Sequence, residues 1–211
     1  MSGLGLLSPA MTMRVAVAVS GRGSNLEALL RALQPGTPAR IVLVLSDRAE
    51  APALSRARQH GVPAEALTDP ANPTEWLVQL DRHQVDLVVL AGYLKLVPAA
   101  VVARYRDRII NIHPALLPDF GGKGMYGKRV HQAVLASGAR ESGATVHLVD
   151  EVYDRGTVLA QTRVPVLPGD TPDRLAARVL EAEHRLLPTV VLAAAAAGRP
   201  VPLPEAVESS S

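Results

Sequence analysis

Asn111 and His113 stand two residues apart in the segment Asn-Ile-His-Pro. In a β-strand, residues i and i+2 point to the same face, so this spacing places an amide beside an imidazole. An amide N–H polarises a carbonyl and stabilises its oxyanion, and an imidazole supplies or removes a proton. The pair therefore indicates chemistry at a carbonyl group, although a structural histidine at a strand end would explain the same tripeptide.

Asp154 lies in the segment Tyr-Asp-Arg-Gly-Thr, within a polar turn between two predicted strands. A carboxylate at this position would orient His113 and stabilise its charged form, or would accept a proton. Asp-x-Gly is also common in turns for purely local reasons, so this segment by itself leaves both interpretations open.

The segment Gly21-Arg22-Gly23-Ser24-Asn25 joins a predicted strand to a predicted helix. Glycines allow an anion to approach the backbone, and a helix N-terminus offers free N–H groups and a positive dipole, so we predict a phosphate site here. Ser24 and Glu27 have the spacing of a capping box. Leu26 breaks the dinucleotide fingerprint, and no Gly-Lys-Ser/Thr follows, so an ordinary turn remains the alternative.

The periodicity of apolar residues predicts the elements that position these groups. Four short apolar runs are predicted as buried strands, at 14–21, 41–45, 86–91 and 108–113. Helices are predicted between and after them, at 25–33, 52–60, 74–83 and 98–105. Beyond a glycine-rich loop, the pattern predicts a helix at 129–136, an antiparallel strand pair at 144–149 and 157–166, and a long helix at 172–197 capped by Thr171.

This order predicts an α/β fold: an open, mostly parallel, Rossmann-like sheet with helices on both faces and an antiparallel strand pair near the C-terminal part. In such sheets, ligands bind at the carboxyl ends of the strands, where His113 would lie. We expect one domain over 14–199, preceded by a disordered or extended segment over 1–13 and followed by a flexible tail over 200–211.

Composition excludes several classes of function. The 211 residues include no cysteine, which removes disulfides, thiolate catalysis, iron–sulfur clusters and cysteine-bound zinc. No histidine pair has the helical spacing of metal ligands, so we predict no metal. A net charge of +2 and 3% aromatic residues argue against a nucleic-acid partner. No apolar stretch is long enough to span a membrane, and the N-terminus is a poor signal peptide, so we expect a cytoplasmic location.

The remaining histidines carry weaker expectations. His147 is predicted to be a hydrogen-bonded core residue, and His60, His83 and His131 are predicted to lie on helix surfaces.

Taken in order, five motifs make the sequence resemble the folate-dependent phosphoribosylglycinamide formyltransferases. The motifs are VSGRGSNLEAL, VVLAGYLKLV, INIHPALLP, ATVHLVDEVYDRGTVLAQ and AEHRLLP, and the resemblance extends from about residue 14 to about residue 199. INIHPALLP alone would indicate only the wider superfamily of formyltransferases and deformylases.

The resemblance implies a formyltransferase fold and a role for each motif. It assigns Gly23, Ser24 and Asn25 to the phosphate of the ribonucleotide, and Glu183 to another part of that substrate. It assigns catalysis to Asn111, His113 and Asp154. Binding of the folate falls to a segment after the third predicted strand, together with Asn111. The segment comprises Leu94, Lys95, Leu96 and Val97.

The implied reaction transfers the formyl group of 10-formyltetrahydrofolate, a co-substrate, to the amino group of glycinamide ribonucleotide in de novo purine (IMP) synthesis. In this scheme the amine attacks the formyl carbon directly, Asn111 donates to the oxyanion, and His113, kept protonated by Asp154, protonates the departing folate nitrogen. The partners are small molecules. A homodimer is compatible with the sequence, which does not determine the oligomeric state.

Two features depart from the family pattern. Thr74 stands near the place of an arginine that often approaches the folate. The loop after Pro118 is longer than the common form, and its Lys123, Tyr126 and Lys128 would cover the substrate.

Alternatives remain on the same residues. A 10-formyltetrahydrofolate deformylase would use the same trio with water, but such enzymes usually carry an N-terminal regulatory domain, for which about 13 residues leave no room. The member acting on methionyl-tRNA needs a further RNA-binding domain. A non-catalytic nucleotide-binding module would explain the glycine loop but not the trio.

Overall fold

The computed structural model describes residues 12–204, which form a seven-stranded sheet with the order β3-β2-β1-β4-β5-β6-β7. The strands are β1 (Met13–Val19), β2 (Ala39–Ser46), β3 (Ala64–Ala66), β4 (Leu87–Leu90), β5 (Ile109–His113), β6 (Glu141–Leu148) and β7 (Val158–Pro165). The helices are α1 (Ser24–Ala32), α2 (Pro52–Gln59), α3 (Pro73–Arg82), α4 (Ala99–Arg104), α5 (Lys128–Ser137) and α6 (Pro172–Ala197).

The sheet is parallel from β3 to β5 and antiparallel from β5 to β7, which confirms the predicted fold class. Antiparallel β6 lies against β5, so the strand that carries Asn111 and His113 has a parallel neighbour on one side and an antiparallel one on the other. This pairing sets Asn111 opposite His147 and His113 opposite Thr145, so β6 contributes side chains beside both selected residues.

Two apolar layers cover the faces of the sheet, which explains why its strands are almost wholly apolar. Along β1, Val15, Val17 and Val19 face the layer built from α1, α2 and α6, whereas Ala16 and Ala18 face the layer of α3 and α4. Trp76 anchors the second layer and is fully buried, its ring edge packed on Tyr93 with centroids 5.4 Å apart.

The element boundaries differ from the predictions in a few places. Every predicted strand and helix is present with ends shifted by a few residues, and β3 is an additional edge strand of three residues, too short to give a periodic signal. Helix α6 begins as predicted, with the Thr171 side chain accepting from the N–H of Arg174.

The predicted capping box is wrong. Gly23, with a left-handed backbone at φ 76°, is the N-cap of α1 and its carbonyl accepts from the N–H of Glu27. Ser24 is thus the first helical residue, one position too late for its hydroxyl to cap. The Glu27 carboxylate instead binds Arg31 at 2.9 Å and Arg56 at 2.6 Å.

The predicted terminal segments fall largely outside the described residues, which exclude 1–11 and 205–211. Within the described part of the tail, the N–H of Leu203 donates to the carbonyl of Leu159 at 2.7 Å, and its side chain packs on the core. Between residues 12 and 204, no helix combines the length and apolar character needed to cross a membrane.

Replacing Gly23 by alanine should destabilise the protein more than the same change at Gly36. Both glycines have a positive φ, but a Cβ at Gly23 would lie 2.6 Å from the Cβ of Ala53, whereas Gly36 has open space. Strain alone should cost about 1–2 kcal/mol at either site, and the clash should add about 1–3 kcal/mol at Gly23. Urea unfolding of the two variants measures the difference, and equal losses would contradict it.

Candidate active site

One cavity of about 720 Å³ opens at the carboxyl ends of β1, β4 and β5. Almost every residue selected from the sequence lines it, and both halves of the chain contribute. The lining includes Ser24, Asn25, Leu94, Lys95, Leu96, Val97, Asn111, His113, Asp154 and Glu183. Gly23 is not part of the lining. It is the N-cap of α1, and its left-handed turn sets the direction in which Ser24 and Asn25 enter the helix.

The catalytic trio predicted from the sequence comes together in this cavity. The Nδ1 atom of His113 lies 3.6 Å from Oδ2 of Asp154, and both side chains are almost completely buried. The His113 Nε2 atom is 2.9 Å from the carbonyl oxygen of Phe120, so Nε2 carries a hydrogen and donates. In the neutral ring Nδ1 then carries no hydrogen, and this atom can accept a proton beside the carboxylate of Asp154.

Burial sets the charge state of His113. Loss of hydration lowers the pKa of its imidazole below the ordinary value of 6.5, and this outweighs the opposing effects of Asp154 and the Phe120 carbonyl. The ring is therefore neutral at pH 7 in the unliganded protein. This direction opposes the expectation that Asp154 keeps His113 protonated, because a buried ring gains less from one carboxylate than it loses in hydration.

Asp154 stays ionised in spite of its burial. Burial by itself would raise the pKa of the carboxyl, but the neighbouring imidazoles of His147 and His113 and the N–H of Gly122 bring that pKa below its ordinary value. The Gly122 N–H donates to Oδ2 at 2.8 Å. The carboxylate thus ties the glycine-rich loop to the turn that carries Asp154.

His147 belongs to the site, which the sequence prediction missed. It lies opposite Asn111 in the antiparallel pairing of β5 with β6, and its Nε2 atom is 3.0 Å from the Asn111 amide nitrogen. Its Nδ1 atom lies 2.8 Å from the Leu148 carbonyl. This contact places the hydrogen on Nδ1, so that Nε2 accepts from Asn111. The contact between His147 and Asn111 depends on the register of β6 against β5. The apolar pattern of either strand taken alone does not predict that register.

His131 was predicted on a helix surface, and this prediction is wrong. The residue is 5% exposed and lines the cavity from α5. Helix α5 packs against α6, so a position that the sequence pattern places on the outside is covered.

The N-terminus of α1 forms the other end of the cavity. Ser24 and Asn25 present backbone N–H groups of the first turn, a favourable place for a phosphate. The Asn25 side chain donates to Oε2 of Glu183 at 2.8 Å, which joins α1 to α6. Glu183 is 6% exposed, and burial raises its pKa to about 7.

The segment 94–97 lines the opposite end with apolar groups. Leu94 and Leu96 are 39% and 49% exposed, and Val152 and Tyr153 add a facing pair of exposed apolar side chains. Hydrophobic side chains rarely cluster at a surface without a ligand to cover them. Thr74, by contrast, lies in a separate depression beside Glu75 and outside the cavity, so this side chain does not replace the arginine expected there.

The glycine-rich loop forms one wall of the cavity. Lys123, Tyr126 and Lys128 all line it. That they cover a substrate stays a prediction. Lys128 binds Asp173 at the start of α6 through a 2.8 Å ion pair. Within residues 12–204, no three histidine, aspartate or glutamate side chains are placed to hold a metal ion.

Comparison with known proteins agrees with this geometry. The family model described as formyl transferase matches residues 13–191. The chain is 46% identical over 186 residues to the chloroplastic phosphoribosylglycinamide formyltransferase of Arabidopsis thaliana, which covers 84% of this chain and 64% of that protein. The chain thus spans less than two thirds of that relative. It is 36% identical over 186 residues to phosphoribosylglycinamide formyltransferase of Escherichia coli strain K12, covering 85% of each chain.

Solved structures give the same result. Glycinamide ribonucleotide transformylase 1 from Symbiobacterium toebii superposes with a TM-score of 0.84 at 37% identity, covering 93% of this chain and 94% of that one. Phosphoribosylglycinamide formyltransferase from Brucella melitensis superposes with a TM-score of 0.79 at 46% identity, covering 87% and 96%.

Replacing Glu183 by glutamine should stabilise the protein above pH 7. Between pH 4.5 and 7 the folded state keeps a proton on Glu183 that the unfolded chain has lost, so the wild type loses stability as the pH rises through this range. The full shift corresponds to about 3 kcal/mol. Glutamine carries no charge and still accepts from Asn25.

Urea unfolding at pH 4, 6 and 8 tests this expectation. The stability gain of Glu183→Gln should grow from near zero at pH 4 to its largest value at pH 8. Glu181→Gln, on the exposed side of the same helix, controls for loss of a surface charge. Parallel pH curves for wild type and Glu183→Gln would contradict the expectation.

Proposed function

The chain belongs to the formyl transferase family, and we propose that it transfers the formyl group of 10-formyltetrahydrofolate to the amino group of N1-(5-phosphoribosyl)glycinamide. The products are the N-formyl nucleotide and tetrahydrofolate. One observation carries the proposal: a single cavity connects an anion site at Ser24 and Asn25 with Asn111, His113 and Asp154, and continues to an apolar mouth.

The acceptor nucleotide occupies the end formed by α1 and α6. Its phosphate accepts hydrogen bonds from the backbone at Gly23, Ser24 and Asn25, where the helix dipole favours negative charge. Glu183, held by Asn25, faces the sugar and amide portion. Its pKa of about 7 lets the carboxyl act as donor or acceptor near neutral pH.

The folate donor occupies the opposite end. Leu94, Leu96 and Val97 supply apolar contacts for a flat ring system, while backbone groups of the segment and Lys95 offer polar ones. Asn111 lies between the two substrates, at the place where the formyl group must sit. No residue here depends on a metal for this chemistry.

The proposed mechanism follows from the charge states in the cavity. The free amine attacks the formyl carbon, a C–N bond forms, and the Asn111 amide donates to the developing oxyanion. Neutral His113 accepts the proton released by the attacking amine at Nδ1. The Asp154 carboxylate, 3.6 Å from that atom, stabilises the resulting imidazolium. His113 then returns the proton to the folate nitrogen as the second C–N bond breaks.

Three further expectations stay predictions. They are a role in purine synthesis within the cytoplasm, a homodimeric assembly, and the absence of a nucleic-acid partner.

Incubation with 10-formyltetrahydrofolate, with and without glycinamide ribonucleotide, tests the proposal. Tetrahydrofolate should appear only when the nucleotide is present. Release without the nucleotide would instead identify a deformylase, and no release in either case would point to a binding module. Trapping a formyl group on His113 would contradict direct attack by the amine.

His113→Ala should lower kcat roughly 100- to 10,000-fold, because it removes the group that moves the proton. The Kd for glycinamide ribonucleotide, measured by calorimetry, should change little, since the phosphate site is intact. His83→Ala, at the end of α3 and outside the cavity, serves as the matched control. Normal turnover by His113→Ala would show that a different residue moves the proton.

His147→Leu should lower kcat roughly 5- to 20-fold, because the Asn111 amide loses the hydrogen bond that orients it. It should also move the acid limb of the kcat/KM profile to higher pH, because His147 lowers the pKa of His113, the base that must be neutral for the reaction. His147→Gln can still accept from Asn111 and should keep most of the activity. An unchanged acid limb in His147→Leu would contradict this role.

A further inference from the structure

Two acceptors compete for the single N–H of the neutral His113 ring. The carbonyl oxygen of Phe120 lies 2.9 Å from Nε2, and Oδ2 of Asp154 lies 3.6 Å from Nδ1. A carboxylate is the stronger acceptor, and in a histidine–aspartate pair it ordinarily holds the hydrogen on the nitrogen that faces it. Here the distances favour the carbonyl, because 3.6 Å is too long for a hydrogen bond. The ordinary arrangement is therefore reversed, and the hydrogen lies on Nε2.

The glycine-rich loop imposes this arrangement through its backbone. Phe120 supplies the acceptor for Nε2, and two positions later the N–H of Gly122 donates to Oδ2 of Asp154 at 2.8 Å. Oδ2 is the same oxygen that lies nearest to Nδ1, so the loop gives this oxygen the hydrogen bond that the imidazole would otherwise supply. Residues 120–122 thus hold both His113 and Asp154, and we call these three residues the backbone clamp.

The backbone clamp has a conformation that local preferences oppose. Phe120 has a φ of 55°, in the left-handed region that residues other than glycine rarely adopt. Gly121 has no room for a side chain, because a Cβ there would lie 2.6 Å from Cδ2 of Leu117 and 3.1 Å from Cβ of Asp154. A conformation of this kind persists only where the surrounding structure holds it, so contacts outside the clamp must fix it.

The side chain of Phe120 supplies such a contact. It is partly buried and packs against an apolar cluster of α5, β7 and α6, which comprises Val134, Val164, Leu175, Val179 and Ala182. The ring is thus anchored where α5 packs on α6, while the carbonyl of the same residue reaches His113. An anchored side chain leaves this carbonyl little freedom to move away from Nε2.

We propose that Phe120 is a positioning residue, whose anchored side chain holds its carbonyl on Nε2 and thereby keeps Nδ1 of His113 free to accept a proton. Without this contact the hydrogen would move to Nδ1, where the carboxylate of Asp154 would bind it, and the accepting lone pair would pass to Nε2. The accepting nitrogen would then lie on the wrong side of the ring for the proposed mechanism. The catalytic consequence rests on the proposed function, whereas the tautomer is a property of the unliganded protein.

Nitrogen NMR of protein labelled at its histidines measures this tautomer. Long-range proton–nitrogen correlation distinguishes the two ring nitrogens, and His113→Gln assigns the signals by their loss. At pH 8 the ring is neutral, because burial holds its pKa below 6.5.

Two variants remove the anchor, and a third is their matched control. Phe120→Ala keeps the strained backbone, whereas Phe120→Gly adopts a left-handed φ without strain and so guards against a variant that fails to fold. Leu135→Ala removes a side chain that packs on the same cluster from α5, outside the cavity.

The wild type and Leu135→Ala should carry the hydrogen of His113 on Nε2, and both Phe120 variants should carry it largely on Nδ1. In the transfer assay the Phe120 variants should lower kcat roughly 10- to 100-fold, while the Kd for glycinamide ribonucleotide stays within about twofold. Leu135→Ala should lose stability but keep the kcat of the wild type.

Each other outcome overturns a defined part of the proposal. A hydrogen on Nδ1 in the wild type would overturn the assigned tautomer, and this spectrum requires no variant. The wild-type tautomer in a folded Phe120 variant would overturn the role of the side chain, as would the same shift in Leu135→Ala. A wild type with its hydrogen on Nε2 that does not formylate glycinamide ribonucleotide would overturn the proposed function and not the clamp.

Discussion

The ionised carboxylate of Asp154 is the group around which the candidate active site is assembled. It is buried, and a buried charge is costly unless neighbouring groups replace its hydration. The N–H of Gly122 donates to it at 2.8 Å, and the rings of His113 and His147 lie 3.6 Å and 3.4 Å from its oxygens. The end of β5, strand β6 and the glycine-rich loop, three segments that are distant in the chain, thus meet at one charge.

At the end of the cavity formed by α1, α5 and α6, by contrast, polar groups lack hydrogen-bond partners. Oδ1 of Asn25 and Nδ1 of His131 have no hydrogen-bond partner in the described chain, and burial shifts the pKa of Glu183 to about 7. Buried polar atoms without a partner lower the stability of the fold. This end of the cavity therefore contains polar groups that the packing of the fold does not require.

Much of the fold follows from patterns that are local in the chain. The strands β1, β2, β4 and β5 are continuous apolar runs, and each is flanked by turn residues or a helix with a clear apolar stripe. Where the local signal was short or ambiguous, the prediction failed. The strand β3 has only three residues. Ser24 and Glu27 have the spacing of a capping box, but the left-handed turn at Gly23 starts the helix one residue earlier than a Ser24 cap requires.

The sequence by itself determined the α/β architecture, the glycine turn before α1 and the choice of Asn111, His113 and Asp154, because these rest on periodicity and on motifs within a few residues. Only the tertiary structure decided that His147 supports Asn111, that His131 faces the cavity and that Thr74 does not. It also decided that His113 is neutral when no ligand is bound. Strand register, helix orientation and burial set these properties, and each depends on contacts between segments that are far apart in the chain.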